Sequence, residues 1–138
     1  MVVLSRHRPW LLFGQAVHFQ HAAPEKLPYA INRYRREVER HYRVLDEHMA
    51  KRDYIVGNDY SFADISAWGW LDRASRVLPG EGEPLAAFPI TRRFFDAVDA
   101  RPAVARASLA GHFYTFKREL DEEARRSLFP SNYDSAAC

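Results

Sequence analysis

Cysteine is almost missing from this chain of 138 residues: the only one is the last residue, Cys138. No intrachain disulfide can form, nothing points to an oxidising compartment, and the cytoplasm is the expected location. An excess of one charge is missing too. Twenty Lys and Arg against eighteen Asp and Glu leave a formal net charge of +2, too little to predict a polyanionic partner, so no nucleic acid is expected. Long apolar runs are lacking. The short one at Trp10 to Phe13 is too brief for a secretory signal or a membrane span, so no membrane partner is expected. Alternating polar and apolar runs of strand length, internal repeats and low-complexity blocks are lacking as well. What is there is an ordinary globular composition, 47% hydrophobic and 28% charged, with 14% aromatic residues that argue against disorder. A chain of this length suits one domain and buries about two-thirds of the surface that its unfolded form exposes.

Helical periodicity fills the space that strands leave. From Pro28 to Arg52, Ile31, Tyr34, Val38, Tyr42, Leu45 and Met49 recur at helical spacing, while Arg33 and Glu37, or Arg35 and Glu39, alternate signs on the other face. A second helix is predicted from Phe62 to about Val77, with Ile65, Trp68, Leu71 and Val77 as its apolar face, ended by the surface loop Pro79 to Pro84. A third starts at Pro89, shows Phe94, Phe95 and Val98, and ends near Arg101 before Pro102. A short helix follows to about Ala110, Gly111 breaks it, and a charged segment is helical around Leu120 to Leu128. The fold class is therefore all-α.

The most specific string is Asp53 to Ile65, DYIVGNDYSFADI. Ser61 and Asp64 have the spacing of a capping box with Asp in place of Glu, each side chain satisfying an amide of the other residue at the helix start. Tyr60 and Ile65 are spaced as a hydrophobic staple, and Gly57 sits where the chain turns sharply. Ser61 and Asp64 form no nucleophilic triad, because the cap occupies both side chains. Asp64 is expected to be buried, and its removal to destabilise.

That whole string resembles the folding motif in the helical C-terminal domain of glutathione transferases. His18 to Tyr34 (HFQHAAPEKLPYAINRY) is similar to a signature of the bacterial nu class, which contains glutathione-dependent disulfide-bond oxidoreductases. Arg101 to Ala107 and Phe116 to Asn132 are similar to the end of the same class. The resemblance implies a transferase C-terminal-like helical bundle over residues 14–116, a charged extension and tail over 117–138, and an irregular segment over 1–13 that fits the class poorly. It also implies glutathione as cosubstrate, a small electrophile or disulfide as substrate, and a thioredoxin-like domain that holds most of the tripeptide. No βαβ pattern for such a domain precedes residue 24, so the chain is expected to be incomplete for catalysis alone, with no catalytic residue of its own and a thioredoxin-like partner or a homodimer around it.

Within the resemblance, Arg33 is the residue that reaches glutathione, since a guanidinium fork pairs bidentately with a carboxylate. The competing reading pairs Arg33 with Glu37 on a solvated face. His18, Phe19 and Tyr29 are candidates for the substrate cleft, against the alternative that Phe19 and Tyr29 are core. His18 and His21 share a helical spacing that a metal could use, but no third ligand is evident and none is expected. A different class of function also fits: a non-catalytic helical interaction module, like the transferase-type domains attached to translation factors.

Overall fold

A computed structural model describes residues 9–78, 82–110, 113–114 and 120–132. Among these there are helices and no strand, as the missing alternation predicts. We number the α-helices α1 (Pro9–Val17), α2 (Pro28–His48), α3 (Phe62–Leu71), α4 (Pro89–Asp99), α5 (Pro102–Ala110) and α6 (Glu122–Leu128). The break at Gly111, the boundary between residues 116 and 117, the tail beyond Asn132 and residues 1–8 of the irregular segment lie outside the described residues, as do residues 79–81 of the expected loop.

Pro28 opens α2, where its fixed φ suits the helix and no internal amide partner is lost. The predicted stripe turns inward: Val38, Tyr42, Leu45 and Met49 are buried and Tyr34 packs beside them. Each such side chain contributes about 1.5–3 kcal/mol by leaving water. The helix tightens into a 3₁₀ turn at Met49–Lys51, close to the predicted end.

Residues 9–13 are not irregular. They open α1, which lies along α2 and turns Phe13 and Ala16 into the core. Ala16 is small enough to bring the two helix backbones close. After Val17 the coil widens into a π turn, His18–Ala22, closed by the amide of Ala23 donating to the carbonyl of His18 at 2.8 Å.

The second predicted helix also differs. α3 stops at Leu71, and a 3₁₀ turn, Ala74–Arg76, continues the path. Three residues per turn bring Ala74 and Val77 onto one side, and both are buried. The inward stripe of α3 is Asp64, Ala67 and Leu71, so Ile65 remains exposed on the other side.

Leu85 and Phe88 return the chain to the core, and α4 then packs on both α2 and α3 through Phe94 and Val98. The start of α4 is tied to α2 directly: the amide of Thr91 donates to the Asp46 carboxylate at 2.7 Å. A side chain on one helix thus satisfies a first-turn amide of another, which fixes their relative position.

Candidate functional site

Two polar sites stand out, one closed and one open. The closed site is the start of α3, where the Ser61 and Asp64 capping box forms. Asp64 is 0% exposed. Its carboxylate accepts from the amide of Ile55 at 2.8 Å, the amide of Ser61 at 2.7 Å and the hydroxyl of Ser61 at 2.9 Å. These bonds tie the loop before α3 to its first turn, and Gly57, at φ +77°, makes the turn between them. Tyr60 is held edge-on by Tyr54 at 5.7 Å and lies under the Arg101 guanidinium at 3.7 Å. The staple partner expected for it, Ile65, is 47% exposed. With its bonds spent on the backbone, this site has an architectural role.

The open site is a groove of about 1600 Å³ between α1 with its π turn, the 3₁₀ turn at Ala74–Arg76, and α6. The π turn presents His18, Phe19 and His21 to it. The ring of Phe19 stacks on Tyr34 of α2 at 5.3 Å and 7° between planes, with His18 edge-on to it at 5.3 Å. Phe129, just past α6, meets His18 edge-on from the opposite wall at 4.8 Å. Hydrogen bonds hold the walls in register: His21 Nε2 to the carbonyl of Arg76 at 2.8 Å, Gln20 Nε2 to the carbonyl of Val77 at 3.0 Å, and Arg125 Nη2 to the carbonyl of His21 at 3.2 Å.

Of the residues expected in a substrate cleft, His18 and Phe19 come together here. Tyr29 does not line this groove and is 83% exposed. Arg33 stands one turn along α2 from Tyr29 on the same outer face, next in sequence to Tyr34. Its Nη1 is 3.6 Å from Glu37, but that carboxylate is engaged chiefly by Arg40, at 2.7 and 3.1 Å. The Arg40 hydrogen bonds hold the Glu37 carboxyl below the ordinary range, with smaller help from His41 and Arg33. Arg33 is therefore only loosely held, with 60% of its side chain exposed.

Sequence reasoning missed Arg76, Arg125 and Phe129 as groove residues. One local signal was present: Asp121 before two glutamates marks a helix start, and its carboxylate accepts from the amide of Ala124 at 2.9 Å. Among the described residues no three His, Cys, Asp or Glu side chains gather as a metal site would need. Nor is any described helix long and apolar enough to cross a membrane.

Residues 28–97 match the family model of the glutathione S-transferase C-terminal domain. The chain is 37% identical over 98 residues to disulfide-bond oxidoreductase YfcG of Escherichia coli, covering 71% of this chain and 44% of that protein. It is 35% identical over 127 residues to disulfide-bond oxidoreductase YghU of the same organism, covering 88% and 43%. Among solved structures it is similar to glutathione transferase URE2P6 of Phanerochaete chrysosporium, in complex with oxidized glutathione, with a TM-score of 0.69 and 30% identity over 76% of this chain and 48% of that one. The chain thus spans less than half the length of these relatives.

Proposed function

The chain belongs to the glutathione S-transferase C-terminal domain family, and from that premise we propose that it is the helical half of a cytoplasmic, glutathione-dependent transferase or disulfide reductase. The groove of His18, Phe19 and Phe129 is the site for the electrophile or disulfide, and glutathione is the cosubstrate. The thiolate of glutathione does the chemistry, attacking carbon or sulfur and expelling the leaving group, while these residues position its target. A thioredoxin-like domain supplies the rest of the glutathione site, and Arg33 takes a glutathione carboxylate.

One observation carries this reading: a groove with aromatic and imidazole side chains lies on a helical domain whose relatives include disulfide-bond oxidoreductases and a transferase solved with oxidized glutathione, which supports a substrate role for it. The loose hold of Glu37 on Arg33 supports its role, because a guanidinium with donors to spare can take a carboxylate without breaking a strong pair. Phe62 and Ile65, exposed on one side of α3, offer an apolar surface for the thioredoxin-like domain or a second copy. That same surface favours the second reading, a non-catalytic interaction module.

Calorimetric titration with glutathione and its disulfide, beside Arg33→Ala, tests the proposal. Millimolar or tighter binding that weakens about tenfold in the variant supports it. No heat from either protein removes the glutathione role and leaves the interaction module.

A further inference from the structure

The groove is not electrically neutral in its hydrogen bonding. Arg125 reaches it from α6, and its guanidinium has one bond, to the carbonyl of His21. Its Nε is buried with no hydrogen-bond partner, and among the described residues no carboxylate pairs with it. Arg76 lines the facing wall, and it too has no carboxylate partner among the described residues. The His18 ring meets Phe19 and Phe129 edge-on. Among the described residues, Glu123 on the Arg125 wall is the only acidic side chain in the lining. The Arg125 guanidinium, with donors to spare, thus stands beside an aromatic floor of His18, Phe19 and Phe129, and the exposed Arg76 is among the residues of the facing wall.

We propose that the groove selects anionic substrates: aromatic or flat electrophiles and disulfides carrying a carboxylate, which Arg125 and Arg76 bind while the ring packs against His18 and Phe129. The inference rests on the groove being the substrate site, and it names the substrate class for it. Arg125 is then a specificity-determining residue with two roles, pinning α6 to the π turn and reading the charge.

The test uses the full chain and two unreactive probes of the same shape, 4-nitrobenzoate and 4-nitrobenzamide, titrated by NMR on the backbone amides of the π turn and α6. The expected result is that the benzoate binds about tenfold more tightly, the low end for a charge-assisted hydrogen bond in an open groove. In Arg125→Met that preference disappears, because affinity for the benzoate falls to the level of the benzamide. If Arg125→Met releases α6, as changed amide shifts without probe would reveal, Arg76→Met on the other wall carries the test and must shrink the preference. Equal affinities in the unaltered chain overturn the charge selection and leave the groove as a neutral site. Binding of neither probe overturns the groove as a substrate site and the inference with it.

Discussion

Asp64 and Arg125 are both charged side chains drawn at least partly out of water, and they are treated in opposite ways. Around Asp64 the backbone of the preceding loop and the cap residue supply three donors, and nothing is left for a ligand. Around Arg125 the protein supplies one acceptor and leaves Nε without any. A buried ion that is fully bonded holds a fold together; one that is half bonded costs stability, and a bound ligand can repay that cost. The comparison separates an architectural polar site from the proposed recognition site without reference to sequence motifs.

The largest expected effect breaks the closed site. Asp64→Ala strands the amides of Ile55 and Ser61 together with the Ser61 hydroxyl, at about 1–3 kcal/mol for each group that water cannot reach, so a loss of about 3–5 kcal/mol is expected after relaxation. Urea denaturation followed by circular dichroism measures it. A loss below about 1 kcal/mol would mean that the loop does not depend on the carboxylate. Gly57→Ala comes next, at about 1–2 kcal/mol, because φ +77° places a Cβ against the backbone. No neighbour crowds that position, so the cost is conformational alone, and a β-branched substitution should cost more.

Phe129→Ala probes the open site and should cost the whole protein less than about 1 kcal/mol, since α6 touches the body through few contacts. Its effect should be local. Hydrogen exchange of the α6 and π-turn amides should speed up while the amides of α2 and α4 keep their rates; equal acceleration everywhere would show that α6 belongs to the same cooperative unit as the core.

The closed site was legible in the sequence and the open one only at His18 and Phe19, for one physical reason. The capping box, the Gly57 turn and the inward face of α2 are set by residues within a few positions of each other, so spacing alone predicts them. The groove is made by contacts far apart in the chain, such as Arg125 to His21, 104 positions away. α1 was missed because its apolar run is short, and only the neighbouring α2 gives Phe13 and Ala16 something to pack on. Ile65 went to the wrong face because the stripe of α3 is built on Asp64 and alanine. Once a polar residue takes a core position, hydrophobic spacing points a residue off.

Tyr42 sharpens the comparison from the side of the core, where it and Thr91 each bury a hydroxyl without a hydrogen-bond partner. It is 6% exposed, edge-on to Phe88 at 5.6 Å, and its hydroxyl is buried without a hydrogen-bond partner. Tyr42 does not line the groove of His18 and Phe19, so a ligand there offsets nothing of the cost of this orphan. Tyr42→Phe should therefore leave stability at neutral pH unchanged or raise it by up to about 1 kcal/mol. Alkaline pH gives the sharper reading. Burial pushes the Tyr42 phenol well above its ordinary 10.0, so the unfolded chain gives up this proton first. The contribution is fully present below pH 10 and is lost as pH rises above it, with a slope approaching about 1.4 kcal/mol per pH unit. Denaturation midpoints at pH 8 and pH 11 should fall further for the unaltered chain than for Tyr42→Phe. Equal falls would place the hydroxyl in contact with water, and the core would then contain no orphan at this position.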